Sequence, residues 1–289
     1  MLQLKSKFKK VMDAGYHFKN GASSKIQMSR RTLLISIICF LLFTAGIFFL
    51  AFNACTNDSE NNPGIILGFD DYFPIAWEQH FNLFEKYNAK VIFFVQSDTV
   101  TQFMLDAQAR GHEIGYHTIN HPSLPSTTTE KFFEETISRI QVFQAAGIEL
   151  TSFAYPYGRY DPWMHDELLK YYKIVRGNVS SFRPYSIIDL KSGFFVSSSI
   201  DNIKYKWELN FRSSRQFQNK IAKMFPSEVQ FRCDIWRMVK CAKKTGKIII
   251  LTSHNISTDN YAITPERLEY VLKTSQKKGL RFYTFKDLQ

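Results

Sequence analysis

The chain contains only four cysteines among 289 residues, and their positions do not suggest a disulfide framework. Cys39 lies within an apolar segment near the N-terminus, and Cys55 follows that segment. Cys233 and Cys241 lie in a stretch with helical periodicity, where eight residues correspond to ~12 Å, which is too long for a bridge. We therefore expect no disulfide.

Most of the chain also lacks a strong charge imbalance. The net charge is +11, but the first 31 residues hold eight lysines and arginines against one aspartate, which gives +7 and leaves +4 for the rest. Because the excess positive charge is confined to this tail, we do not expect the protein to bind nucleic acid. The apolar and charged fractions, 45% and 22%, are typical of a folded globular protein.

One long apolar run is present, at residues 33–52, and its 20 residues carry no charge. A helix of this length can cross a hydrocarbon core of ~30 Å. Arg30 and Arg31 precede the run, and such positive charge places the N-terminus in the cytoplasm. We therefore expect a single-pass protein of the cell membrane, with most of the chain outside the cytoplasm.

A lipoprotein signal is the alternative to this anchor, because Ala54 and Cys55 fit the site at which such signals are cleaved and lipid-modified. Met28 is an alternative start, which would exclude 1–27. The predicted segments are a basic cytoplasmic tail at 1–31, a signal anchor or lipoprotein signal at 32–54, a polar linker at 55–64 and a folded domain at 65–289.

Within the folded domain, short apolar runs alternate with amphipathic stretches, which predicts strands joined by crossover helices. The predicted strands are Ile65–Phe69, Val91–Gln96, Glu113–Tyr116, Ser152–Tyr155, Lys173–Arg176, Gly193–Val196, Lys247–Thr252 and Arg281–Phe285. The predicted helices are 74–87, 99–110, 127–146, 161–172, 227–245 and 264–278. Seven or eight such repeats predict a parallel (β/α) barrel, whose functional groups follow the carboxyl ends of the strands. The stretch 177–226 has no clear assignment.

Polar residues follow three of these strands. Asp70 and Asp71 come after the first, His117 and His121 after the third, and His254 after the strand at 247–252. Two histidines four residues apart and one carboxylate leave an open coordination position, which is the form of a catalytic zinc site and also suits other divalent metals. Such a site acidifies a water and polarises a carbonyl, while the second aspartate accepts a proton and His254 donates one.

Each of these signals has an ordinary structural explanation when it stands alone. An Asp-Asp pair is common in turns, and histidines four residues apart are common on surfaces. Their combination at successive strand ends favours a catalytic site.

The sequence resembles the polysaccharide deacetylase family, carbohydrate esterase family 4, with its NodB-homology domain. The motifs that carry the resemblance are GFDD at Gly68–Asp71, RGHEIGYHTINHPSL at Arg110–Leu124, FAYPYG at Phe153–Gly158 and TSH at Thr252–His254. The resemblance extends over about 65–289, and the motif with the two histidines is the most specific.

The resemblance implies a distorted (β/α) barrel that binds a divalent metal, usually zinc. It implies that the metal is held by Asp71, His117 and His121. It also implies that Asp70 is the catalytic base, that the backbone N–H of Tyr157 stabilises the oxyanion, and that His254 protonates the departing amine.

The chain departs from the family pattern in two places. Many members carry an arginine where this chain has Ala154, and that arginine orients the base through an aspartate followed by tryptophan. Asp201 lies in the corresponding region, but the nearest tryptophan, Trp207, is distant. Both parts of this arrangement are therefore expected to be altered. Arg159 or Arg176 is the hypothesised replacement for the missing charge beside Asp70.

The expected activity is hydrolysis of N-acetyl groups, or less readily O-acetyl groups, from a polysaccharide outside the cytoplasmic membrane. An N-acetylhexosamine polymer of the envelope and peptidoglycan are the leading substrates. Two alternatives are a non-catalytic glycan-binding protein that keeps the fold, and a related barrel hydrolase that acts on small amides or imides.

Overall fold

The structure, a computed structural model, describes residues 62–179, 184–185, 193–202 and 227–288. Its centre is a ring of seven parallel strands, in which the last strand pairs with the first. In ring order the strands are β1 (Gly64–Phe69), β2 (Ile92–Val95), β3 (Glu113–Tyr116), β4 (Ser152–Ala154), β5 (Ile174–Val179), β7 (Phe194–Ser199) and β8 (Ile248–Ser253). The predicted parallel (β/α) barrel is confirmed.

Short strands extend the ring at its edges. β11 (Arg281–Phe282) runs parallel beside β1, and β6 (Pro184–Tyr185) pairs antiparallel with β8. β9 (Asn255–Ile256) and β10 (Ala262–Ile263) form a separate two-stranded pair directly after β8. Neither β6 nor the β9–β10 pair was predicted, since two-residue strands are too short to leave a periodic pattern.

Both faces of the barrel strands are buried, which explains why they have continuous apolar runs instead of alternating ones. Every residue of β1 and β8 is buried. Ile65, Leu67 and Phe69 belong to the large core that the helices cover, whereas Ile66 belongs to a smaller core with Phe94. Because successive side chains of a strand point to opposite faces, the smaller core fills the interior of the barrel.

Eight α-helices are described around the barrel. They are α1 (Pro74–Glu78), α2 (Phe81–Lys86), α3 (Gln102–Ala109), α4 (Thr129–Thr136), α5 (Ile140–Ala145), α6 (Pro162–Leu168), α7 (Ser227–Thr245) and α8 (Pro265–Lys277). Two predicted helices, 74–87 and 127–146, are each divided into two. Neither division coincides with a glycine or proline, so the sequence carries no local signal for it.

The predicted membrane segment at 33–52 lies outside the described residues. Among the residues that are described, no helix is long and apolar enough to span a membrane. Cys233 is a free thiol, so it forms no bridge with Cys241, as the spacing argument within α7 predicted. Cys39 and Cys55 lie outside the described residues.

Candidate metal centre and active site

The three predicted metal ligands converge at the carboxyl end of the barrel. Asp71 follows β1, and His117 and His121 follow β3. Oδ1 of Asp71 lies 3.4 Å from Nε2 of His117 and 3.2 Å from Nε2 of His121. The two Nε2 atoms lie 3.1 Å apart. All three side chains thus present a ligand atom to one point, within 4.8 Å of one another.

The backbone at this centre adopts a conformation that is unusual for residues other than glycine. Asp71, Thr118 and His121 have φ angles of 76°, 72° and 56°. Such positive angles cost about 1–3 kcal/mol each and persist where surrounding contacts enforce them. The carbonyl of Asp71 accepts from the backbone N–H of Gln96 at 2.7 Å, and the hydroxyl of Thr118 accepts from the backbone N–H of His121 at 2.9 Å.

A buried carboxylate, Glu135 on α4, holds the loop between the two histidines. Its oxygens accept from the backbone N–H of Ile119 at 3.0 Å, the backbone N–H of Asn120 at 2.8 Å and the side-chain amide of Asn120 at 2.7 Å. Burial raises the pKa of Glu135, but these hydrogen bonds and Lys131 outweigh it, so the net shift is downward. Sequence reasoning missed Glu135, which looks like any acidic residue on an amphipathic helix.

The donor atoms suit a divalent cation. Nδ1 of His117 lies 2.8 Å from the carbonyl oxygen of Ala154, which places the ring proton on Nδ1 and leaves Nε2 as a ligand atom. Oδ1 of Asp71 is buried and accepts no well-aligned hydrogen bond from the described residues. Burial alone would raise the pKa of Asp71, but the rings of His117 and His121 hold it well below its usual range. A buried carboxylate oxygen facing two ring nitrogens is an environment that a cation would satisfy.

Asp70 has a different environment from its neighbour Asp71. It is buried, and its Oδ1 lies 2.5 Å from Nη2 of Arg176 on β5. The guanidinium of Arg176 also donates to the hydroxyl of Ser197 at 2.7 Å and lies over the ring of Phe94 at 4.7 Å. Of the two arginines hypothesised as partners of Asp70, Arg176 is confirmed. Arg159 is exposed.

His254 is paired with Asp201. Nδ1 of His254 lies 2.8 Å from Oδ2 of Asp201, and the hydroxyl of Ser253 donates to Oδ1 of Asp201 at 2.6 Å. Burial alone would lower the pKa of His254. The hydrogen bond and charge of Asp201, with further negative charge from Asp70 and Asp71, raise that pKa to about 9. His254 therefore carries a proton at neutral pH, as a general acid requires.

The two departures from the family pattern are both present in the structure. The arginine is supplied from β5 instead of from the position of Ala154 on β4. Asp201 is in place without a following tryptophan, and it contacts His254. Because Asp201 contacts His254 and not Arg176, the aspartate part of the arrangement differs from the pattern too, as expected.

Tyr157 lies beside the candidate ligands, in a short turn at Pro156–Gly158. Its φ angle is 58°, and its exposed ring meets the ring of His121 edge-on, with centroids 4.5 Å apart. A Cβ atom at Gly158, which has a φ of 65°, would lie 2.9 Å from the backbone nitrogen of Asn178. The turn therefore requires glycine at 158.

The family model described as polysaccharide deacetylase matches residues 57–172. This segment includes both aspartates, both candidate histidine ligands and Tyr157, and it ends before Arg176, Asp201 and His254. No curated protein sequence matches the chain.

Solved structures with TM-scores of 0.50 or more share the fold at low sequence identity, and others match with lower scores. The peptidoglycan N-acetylglucosamine deacetylase Bc1960 has a TM-score of 0.51 at 14% identity, covering 79% of this chain and 89% of that one. The Xyl-CE4 domain of a multidomain xylanase from the hindgut metagenome of Trinervitermes trinervoides has a TM-score of 0.50 at 16% identity, covering 79% and 90%. The Bacillus subtilis family 4 carbohydrate esterase PdaA has a TM-score of 0.48 at 18% identity, covering 85% and 88%.

The resemblance to the polysaccharide deacetylase family seen in the motifs is confirmed by this family model over residues 57–172. The prediction of an enzyme of the polysaccharide deacetylase class is confirmed by the same match.

Proposed function

We propose that the protein hydrolyses N-acetyl groups of a polysaccharide outside the cytoplasmic membrane, with a divalent metal held by Asp71, His117 and His121. The observation that carries the proposal is the convergence of these three side chains beside a second, arginine-paired aspartate and a histidine paired with Asp201. O-acetyl groups are the less favoured substrate. Zinc is the proposed metal, because two imidazole nitrogens and one carboxylate oxygen with an open position form a common catalytic zinc site.

Two residues beside the proposed metal site each carry out one proton transfer. When bound, the metal would polarise the amide carbonyl and acidify a water. Asp70, fixed by Arg176, accepts the proton of the attacking water. His254, fixed by Asp201, donates a proton to the amine nitrogen as the bond between carbonyl carbon and nitrogen breaks. The backbone N–H of Tyr157 stabilises the negative charge on the carbonyl oxygen. The products are acetate and the free amine.

The proposed setting follows from the N-terminal segment. The apolar run at 33–52 anchors the chain, or a lipid on Cys55 does, and the domain lies outside. Asp70 is only 15 residues beyond Cys55, so the active site would stay near the membrane surface. This position favours an envelope polymer of N-acetylhexosamine or peptidoglycan as substrate.

The test is acetate release by the full-length protein from acetylated glycans: β-1,4- and β-1,6-linked N-acetylglucosamine oligomers, and peptidoglycan fragments. Metal content is measured on the same preparation. We expect one divalent metal per chain, and acetate release that a chelator abolishes and added zinc restores.

The variant Asp70→Asn is the control for this assay, since it removes the base without removing a ligand. It should release acetate at least about a hundredfold more slowly. Glycan binding without acetate release by the metal-loaded wild type would instead favour the non-catalytic alternative.

A further inference from the structure

Two exposed tyrosine rings contact residues of the candidate site. Tyr157 meets His121, and Tyr261 meets His254 with centroids 6.2 Å apart and ring planes at 80°. Each tyrosine is 64% exposed. Single exposed aromatic residues are ordinary on protein surfaces. These two are distinguished by their contacts with a candidate ligand and with the candidate acid.

The loop that carries Tyr261 is held by buried polar residues. This loop connects β9 and β10. The side-chain amide of Asn202 donates to the carbonyl of Asp259 at 2.8 Å and to that of Ser257 at 3.4 Å. Arg267 donates to the side-chain oxygen of Asn202 at 3.0 Å, and both of these side chains are buried. Buried hydrogen bonds of this kind fix the conformation of a loop that exposed residues alone would leave free.

Two residues that are adjacent in sequence, Asp201 and Asn202, therefore position the candidate acid and the exposed tyrosine ring. Asp201 orients His254, and Asn202 holds the loop of Tyr261. The amine that His254 protonates stays on the sugar. The tyrosine ring next to His254 therefore lies where a sugar of the glycan must pass. Flat aromatic rings suit the apolar faces of pyranose rings.

We propose that Tyr261 binds a pyranose ring of the acetylated glycan beside His254. Tyr261 then favours longer chains over single sugars. The inference rests on the proposed function for its substrate class, a polymer of acetylated pyranosides.

The test compares Tyr261→Ala, Tyr261→Trp and the wild type, all full-length, on N-acetylglucosamine oligomers of one to five units in β-1,4 and β-1,6 linkage. For Tyr261→Ala we expect kcat/KM on the preferred pentamer to fall about tenfold, ~1.4 kcal/mol, mainly through KM. The rise of kcat/KM with chain length should flatten. Tyr261→Trp should stay within about threefold of the wild type, because it keeps a flat ring.

Tyr171→Ala is the matched control. Tyr171 is also an exposed tyrosine, but it precedes β5 and so lies at the opposite end of the barrel. It should keep the chain-length dependence of the wild type.

Calorimetric binding of the same pentamers gives a readout that does not depend on turnover. We expect Tyr261→Ala to bind the preferred pentamer about tenfold more weakly than the wild type. Equal affinity and an unchanged chain-length dependence in Tyr261→Ala would overturn the proposal, as would a wild type that binds neither pentamer. A wild type that binds pentamers through Tyr261 but releases no acetate would refute the proposed function alone.

Discussion

Nη2 of Arg176 lies 2.5 Å from Oδ1 of Asp70, and both side chains are buried. The two residues are 106 positions apart in sequence and lie on β5 and at the end of β1. A buried carboxylate without such a partner destabilises the fold, and a general base must be held within reach of the proton that it accepts. The pair therefore links the stability of the barrel to the chemistry of the site.

Replacing Arg176 with methionine should affect both properties. The uncharged side chain leaves the carboxylate of Asp70 buried without its partner, which costs about 3–5 kcal/mol of unfolding free energy. Acetate release should fall at least about a hundredfold, because the guanidinium no longer holds the proposed base in position. Chemical denaturation and steady-state kinetics measure the two effects. Arg159→Met, at an exposed arginine, should change neither.

A double variant separates charge pairing from packing. In an Asp70→Asn background, Arg176→Met should cost much less stability than in the wild type, because no carboxylate is left unpaired. If Arg176→Met lowers the free energy of unfolding equally in both backgrounds, Arg176 contributes through packing against Phe94, and its ion pair with Asp70 does not add to stability.

The two adjacent carboxylates should differ in their effect on metal binding. Asp71→Asn should weaken divalent metal binding about a hundredfold or more, since it removes the charged ligand. Asp70→Asn should bind metal like the wild type and lose activity. Metal titration of the metal-free proteins, followed by elemental analysis, measures the difference. Equal metal loss in both variants would contradict the assignment of roles.

Local patterns were sufficient to predict the barrel and the residues at its strand ends. Asp70, Asp71 and the two histidines follow buried runs that no helix pattern matches, and strand ends in a parallel barrel meet at one face. The partners of these residues were harder to predict. Arg176 lies inside a strand with no motif around it, and its pairing with Asp70 depends on a register between strands that sequence spacing does not encode.

Asp201 shows a second reason for incomplete prediction. The missing tryptophan suggested that this part of the site had changed, but the sequence did not predict which residue Asp201 contacts. The structure places its carboxylate against His254 through the geometry of β7 and β8, whose ends pair at Ser199 and Thr252. The position of a side chain is set here by strand pairing and not by the identity of the next residues.

The pairing of Asp201 with His254 predicts the pH dependence of the reaction. The acid must be protonated, so activity should be lost as pH rises through the pKa of His254, which the hydrogen bond and charge of Asp201 raise. Asp201→Asn removes the negative charge that raises this pKa, and burial then lowers it. The alkaline limb of the kcat/KM profile should move to lower pH by about one pH unit or more. The control variant Asp259→Asn, on the exposed loop nearby, should leave the alkaline limb of the profile in place. If Asp201→Asn also leaves this limb in place, another group is the acid.

Glu135 should control metal affinity although it contacts no ligand atom. Glu135→Ala leaves the backbone N–H groups of Ile119 and Asn120 and the amide of Asn120 without their acceptor, so the loop between the two histidines loses its fixed geometry. Loss of such supporting contacts typically weakens metal binding about 10–100-fold, and we expect that range here.

Two further variants serve as comparisons. Glu135→Gln keeps one acceptor oxygen and should lose less metal affinity than Glu135→Ala. Glu134→Ala removes the exposed neighbouring carboxylate, which pairs only with Lys131 among the described residues, and should bind metal like the wild type. Titration of the metal-free proteins with zinc measures all three, and wild-type affinity in Glu135→Ala would show that the histidines hold their geometry without this carboxylate.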